Sequence, residues 1–308
     1  MSTSYPKHSH CLNDGCRSPI NEFGRDRCQD CMAHLRLGGR FRLGERLWGG
    51  RRTGTSLTLV VDEANPDAPP RLLKLLHRSD PHWQQQFRWE AELLWQLSQS
   101  TQRVSTREFA TQKSAQKSTM IEQSPVPYSD EGDWIEPDWQ SGLGGTVGVV
   151  MDYLPGRSLA EELRQNGPIP WSRLAVWLPQ LIQLVYFLHR RQVIHGDIKP
   201  DNFLLCGDRL HIIDFGAAGF VGDRPPLAQS SPGYCPAAIT DSPLTYQRDW
   251  YALGRTCVQL LTGQHPIELI RCSEFQGLLN DHSCFDWRLL EPQMSVSLGQ
   301  RMNAWMSI

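Results

Sequence analysis

From Arg40 onward the chain switches repeatedly between short apolar runs and longer helical repeats. The segments "RFRLGERLWGG" and "SLTLVV" predict two strands around a glycine-containing turn, and "RLLKLL" predicts a third, buried strand. The period then changes in "HWQQQFRWEAELLWQLSQ". Phe87, Glu90, Leu94 and Leu97 recur at spacings of three and four, which places them on one helix face. Strand character returns in "TVGVVMDYL", "GRSLAEELRQNG" opens a helix, and Trp171 to Arg191 reads as a long apolar helix. "NFLLC" and "LHIID" are short strands. "RDWYALGRTCVQLLTG" is a further helix with Gly263 as its cap. Strands early and helices late predict an α+β architecture in two lobes.

Two stretches fall outside this rhythm. About 98–145 is rich in Ser, Thr and Gln, and its first part reads as a disordered surface insertion. The first 38 residues carry Cys11, Cys16, Cys28 and Cys31, spaced C-x4-C, eleven residues, then C-x2-C. Two such knuckles can present four thiolates tetrahedrally to Zn²⁺, with His8, His10 and His34 as substitute ligands. A segment this short buries little core of its own, so a metal would supply its folding energy. The expected division is a zinc-ribbon-like head at 1–38, a β-rich lobe with its hinge at 39–155, and a helical lobe at 156–308.

Composition narrows the setting. Of 308 residues, 40% are hydrophobic and 21% charged, as in an ordinary globular protein, and the formal net charge of −2 offers no basic field for nucleic acid. No apolar run reaches the roughly 18 residues of a membrane span, and "MSTSYPKHSH" lacks the apolar core of a secretory signal. A cytoplasmic location follows, where nine cysteines, an odd number, suit free thiols and a metal site better than disulfides. Cys206, Cys235, Cys257, Cys272 and Cys284 read as core or incidental thiols.

The densest chemistry lies in "VIHGDIKPDNFLL", followed by "IIDFG". Asp197, Lys199 and Asn202 form a compact loop that offers a proton acceptor, a cation and a metal-binding amide. Asp214 adds a second hard oxygen ligand suited to Mg²⁺ (or Mn²⁺), and Gly216 allows a sharp turn. Phosphoryl transfer from a nucleotide needs these parts. Asp197 orients the attacking hydroxyl, Lys199 neutralises the moving phosphoryl, and Asn202 and Asp214 hold the metal.

"HGDIKPDN", "DFG" and "DWYALG", in this order and spacing, resemble the eukaryotic-type protein kinase family, particularly its bacterial Ser/Thr members. The cysteine head followed by "LRLGGRFRLGERL" is similar to the N-terminus of a group of cyanobacterial kinases. The resemblance implies ATP as cofactor and protein Ser/Thr hydroxyls as substrates. It makes Lys74 the ATP-anchoring lysine and Glu90 its ion-pair partner, with Glu92 as an off-stripe rival. Leu47, Gly49, Gly50 and Gly54 would cover the phosphates. Leu72 would lie against adenine, Met151, Asp152, Tyr153 and Leu154 would form the hinge, and Leu204 the pocket floor. His195 would be a spine residue, and Asp249 would brace the catalytic loop.

Several positions depart from the family pattern. Trp48 stands where the first loop glycine belongs, and Thr53 takes the third unless the register slips to Gly54; Arg51 and Arg52 could themselves attract phosphate. Leu72 replaces an alanine, and added volume is poorly tolerated in tight pockets. Ala238 replaces a buried Glu whose Arg partner would lie beyond Ile308. Losing one partner alone strands a charge at about 3–5 kcal/mol, whereas losing both is nearly neutral. The chain therefore reads as carrying a short helical lobe. Gly196 replaces an Arg that pairs with a phosphorylated activation segment, so Ser230 and Ser231 are expected to be dispensable. "HGD" with Asn five residues after the Asp also occurs in aminoglycoside and choline phosphotransferases, which generally lack the equivalent of Lys199. The expected function is a Ser/Thr protein kinase; the alternatives are a pseudokinase scaffold and a small-molecule phosphotransferase.

Overall fold

The computed structural model describes residues 6–13, 15–49, 54–108, 126–127, 134–135, 147–224, 231–235 and 242–271. The chain divides into two compact units, Met1–Pro155 and Gly156–Ile308. Gly50 to Thr53, Ser230, Ala238, Cys272, Cys284 and most of the polar insertion lie outside the described residues.

The first unit opens with a hairpin of β1 (His8–His10) and β2 (Ile20–Glu22). A six-stranded antiparallel sheet follows, built from β3 (Arg36–Leu37), β4 (Phe41–Gly49), β5 (Thr55–Asp62), β6 (Arg71–Leu76), β7 (Trp134–Ile135) and β8 (Val147–Asp152). Its order is β3-β4-β5-β6-β8-β7. Helix α1 (Pro81–Glu108) connects β6 to the later strands. It runs past Ser98, where the sequence suggests that the insertion begins. "SQSTQRVSTRE" contains neither Gly nor Pro, so nothing in it breaks a helix already started.

Strand alternation explains why "RLLKLL" is apolar on both sides of its lysine. Leu73 and Leu75 are fully buried on one face of β6, while Lys74 points to the other. The Leu73 face meets the cysteine head. Cys11, Leu12, Cys28, Ala33, Leu35 and Leu37 form one hydrophobic cluster with Phe41, Leu43, Val60, Leu73, Leu75 and Val150. The head therefore does not depend on its own small interior, because it borrows the core of the sheet. Polar ties reinforce this. Ser9 Oγ donates to Leu43 O at 2.7 Å. Buried Arg42 reaches Glu63 Oε1 (2.6 Å), Arg25 O (2.8 Å) and Asp26 Oδ1 (3.1 Å).

The second unit begins with β9 (Arg157–Ser158) and α2 (Leu159–Asn166), whose capping box pairs Ser158 with Glu161 in both directions. Next comes α3 (Trp171–His189), which buries Leu174, Leu178, Leu181, Val185 and Leu188 at helical spacing. It stops short of Arg191, and the chain then turns through Gln192 at φ 60°. Then follow β10 (Val193–Ile194), β11 (Phe203–Cys206), β12 (Arg209–Ile212), β13 (Gly219–Phe220), α4 (Tyr246–Thr262) and α5 (Pro266–Arg271). Strands β12-β11-β9 form one small sheet and β10-β13 another. Gly263 ends α4 in the left-handed conformation, φ 75°. A β-rich first unit and a helical second unit give the α+β class that the sequence predicts.

Candidate active site

The polar loop of the second unit hangs between β10 and β11, and its anchor is Asp249 in the first turn of α4. Asp249 is wholly buried, yet its carboxylate is saturated. Oδ1 accepts from Gly196 N (2.9 Å); Oδ2 accepts from His195 N (2.9 Å) and meets His189 Nε2 (2.9 Å). A buried carboxylate is tolerable when donors surround it, and a helix N-terminus favours it further.

These bonds fix the backbone at Gly196, which explains the glycine. Its φ is +78°, and a Cβ there would sit 2.4 Å from Ala217 O. The reason is thus local, since no side chain fits at this position without moving the main chain. Gly196→Arg, which restores the residue common in the resembled family, is expected to destabilise the protein by about 2 kcal/mol or more. A lowered denaturation midpoint would show it; an unchanged one would contradict this reading.

His195 is also fully buried. Its Nε2 meets Ile213 O at 3.1 Å, and its ring packs 5.1 Å from that of Phe215. It ties the polar loop to the segment carrying Asp214 and holds a structural place, as expected. Asp214 has φ 65°, a left-handed conformation uncommon outside glycine, and such strain clusters at functional sites.

The catalytic candidates converge on Asp197. Lys199 Nζ donates to Asp197 Oδ2 (2.7 Å), and Asn202 Nδ2 donates to Asp197 O (2.7 Å) and Oδ2 (3.2 Å). Ile213 N donates to Asn202 O at 3.0 Å, which brings Asn202 beside the Asp214 segment. Leu204 lies on the central strand β11, opposite His211 and Ser158.

Ser231 is the residue that sequence reasoning missed. Its N–H donates to Asp197 Oδ1 (2.9 Å), and its hydroxyl accepts from Lys199 Nζ (2.7 Å). Nothing in a separation of more than thirty residues signals this contact. The expectation that Ser230 and Ser231 are dispensable for turnover did not consider this contact, which gives Ser231 a place beside Asp197 and Lys199. Ser231→Ala should slow turnover about fivefold, because Lys199 loses a hydrogen bond worth about 1 kcal/mol. Steady-state rates at saturating nucleotide would test this, and an unchanged kcat would sink it.

In the first unit Lys74 Nζ lies 2.5 Å from Glu90 Oε1, with side chains only 14% and 10% exposed. The pair follows from alternation on β6 and the helical stripe of α1; Glu92 instead accepts from Gln96. The β4–β5 hairpin requires two of its glycines. Gly49 and Gly54 both have φ +79°, and a Cβ on Gly49 would meet Thr55 O at 2.2 Å. Leu47 and Trp48 are exposed. Leu72 pairs with Met151, and Asp152, Tyr153 and Leu154 follow at the end of β8, partly buried.

The head supplies a separate centre. The four cysteine Sγ atoms lie within 4.8 Å of one another, with Cys11–Cys31 and Cys16–Cys28 at 3.5 Å. Four thiolates about 2.3 Å from one Zn²⁺ would stand roughly 3.8 Å apart, so the cluster fits. His8, His10 and His34 are not part of it. Burial resists ionisation of Cys28, but N–H groups of Cys31 and Asp30 and the Asn21 amide outweigh it and bring the thiol down to about 6. Burial pushes Cys11 up, and Cys16 up to about 12. The thiolate is thus favoured at Cys28, and a divalent cation would have to ionise Cys11 and Cys16 against their burial.

The family described as "Protein kinase domain" matches residues 98–295, which include Asp197, Lys199, Asn202 and Asp214. The chain belongs to the protein kinase family. This kinase is similar to serine/threonine-protein kinase B of Synechocystis, 29% identical over 286 residues, which are 87% of this chain and 44% of that protein. It is also similar to serine/threonine-protein kinase PknA of Nostoc, 35% identical over 39% of the chain and 23% of the relative. Synechocystis serine/threonine-protein kinase C is 29% identical over 49% and 29%. The chain thus spans less than half the length of these relatives, which are Ser/Thr protein kinases of cyanobacteria. Lys74 and Glu90 lie before the family match, so their pairing rests on geometry. Among the described residues no helix is long and apolar enough to cross a membrane.

Proposed function

We propose that the chain is a Ser/Thr protein kinase that transfers the γ-phosphoryl group of ATP to protein hydroxyls. The observation that carries this is the cluster on Asp197: a carboxylate, a lysine and an amide held together by hydrogen bonds of 2.7–3.2 Å. Asp197 accepts the proton of the attacking hydroxyl. Lys199 offsets charge on the moving phosphoryl. Asn202 commits its Nδ2 to Asp197, which leaves Oδ1, with the Asp214 carboxylate, as hard ligands for Mg²⁺. A bound Mg²⁺ supplies charge neutralisation on the phosphates. Lys74, oriented by Glu90, anchors the nucleotide from the first unit, where Leu72 and 151–154 would meet its base. The four-cysteine head holds one structural Zn²⁺, and the working division remains 1–38, 39–155 and 156–308. A cytoplasmic setting supports reduced thiols.

A second reading, a nucleotide-binding scaffold without transfer, is favoured by exposed Trp48 at the glycine loop and by Leu72 on the Lys74 face of β6. Labelled ATP, Mg²⁺ or Mn²⁺ and a generic protein substrate decide between the two. Label transfer that disappears in Lys74→Ala supports the kinase. A melting shift with nucleotide but no transfer supports the scaffold. Transfer only to an aminoglycoside or choline would favour a small-molecule enzyme.

A further inference from the structure

The stripe of α1 that ends in Glu90 runs back through Phe87 to Trp83, spacings of three and four on one helix face. Each of these three residues meets a cation. Lys74 Nζ lies 2.5 Å from Glu90 Oε1 and 5.8 Å from the centre of the Phe87 ring. The Arg78 guanidinium lies 4.3 Å from the centre of the Trp83 ring. Lys74 and Arg78 both leave the same strand, one within β6 and the other two residues after its end.

Arg78 touches a third element. A Cβ on Gly54 would stand 2.7 Å from Arg78 Nε and 3.3 Å from Nη2, so the missing side chain at Gly54 is what lets the guanidinium lie there. Gly54 immediately precedes β5, the return strand of the glycine-rich hairpin. Its carbonyl accepts from His77 N at 2.8 Å, and Ser56 Oγ pairs with His77 Nε2 at 2.7 Å. The first turn of α1 is itself held by Asp80, whose Oδ1 accepts from His82 N at 2.8 Å. The hairpin return, the exit of β6 and the start of α1 therefore meet around one guanidinium.

We propose that Arg78 is a positioning residue. Packed between Gly54 and Trp83, it fixes the N-terminal end of α1 against the glycine-rich hairpin and so keeps Glu90 in register with Lys74. This deepens the kinase reading and rests on it for its effect on nucleotide. A planar, weakly hydrated guanidinium suits the place, since it stacks on an indole and still presents an edge to a backbone with no Cβ. The contact is exposed, so its worth is modest, and its influence comes from the lever: Glu90 sits two turns further along the same rigid helix.

The test uses the full chain and two measurements, amide hydrogen exchange of α1 and titration with Mg²⁺–ATP. Arg78→Ala and Trp83→Leu should each speed exchange over 83–97, leave 55–62 unchanged, and weaken Mg²⁺–ATP binding about three- to fivefold. The double variant should be no worse than the stronger single, because both remove one shared contact. Arg78→Lys should recover only part of the loss, since an ammonium also binds an indole face but lacks the planar edge that lies against Gly54. Unchanged exchange in both single variants overturns the proposal. So does weakened Mg²⁺–ATP binding in Arg78→Ala with a silent Trp83→Leu, which would make Arg78 a direct phosphate ligand. If the wild type binds no Mg²⁺–ATP, the kinase reading fails, while the exchange measurement still decides whether Arg78 holds the helix.

Discussion

Asp197→Asn should leave a folded protein that still binds nucleotide but transfers phosphoryl about 10²–10⁴ times more slowly. The substitution keeps shape and removes the proton acceptor. It also misplaces a donor. In the native site Oδ1 accepts from Ser231 N, and Oδ2 accepts from Lys199 Nζ and Asn202 Nδ2. An amide has one acceptor oxygen, so its NH₂ must face either a backbone N–H or an ammonium. Lys199 and Ser231 then lose the group that orients them, and the loss in rate should exceed that of Ser231→Ala by orders of magnitude. Label transfer at saturating Mg²⁺–ATP measures it, with nucleotide-induced melting shifts as the control for binding. A rate within tenfold of wild type would remove Asp197 from the chemistry.

How much of this was legible follows from where each signal resides. "RLLKLL" is β6 residue for residue, because a run bounded by turn residues leaves little freedom in its ends. The Lys74–Glu90 pair was named through the family resemblance, and the helical period of α1 supported Glu90 over its rival Glu92. Contacts that depend on neither stayed hidden. Ser231 reaches Asp197 from a distant segment. Gly196 needs its glycine because Ala217 O approaches from a later turn, which no motif spacing encodes. The head suggested a metal but not a shared core, since apolar residues such as Leu12 and Leu35 carry no mark of which surface they will cover.

That shared core makes metal removal the change with the widest structural reach. Stripping Zn²⁺ from the head, or replacing Cys28 with Ser, is expected to lower the melting temperature by about 10 °C or more, equivalent to roughly 4 kcal/mol for a unit of this size. Structural zinc contributes about 10–16 kcal/mol to the folding of isolated fingers, against a net stability of only about 5–15 kcal/mol for a whole domain. Part of the head would survive through Arg42 and its bonds to Arg25, Asp26 and Glu63, which need no metal. Cys11 and Cys28, however, pack in the cluster that holds Leu73 and Leu75. Those leucines flank Lys74 in the strand, so loosening them from the head side frees the backbone that aims the lysine at Glu90. Melting with and without chelator, with zinc content near one per chain as the reference and Cys206→Ser as the control thiol, measures the effect. Equal melting of loaded and stripped protein would mean that the borrowed apolar core and Arg42 hold the head alone, with the thiols as ordinary buried side chains.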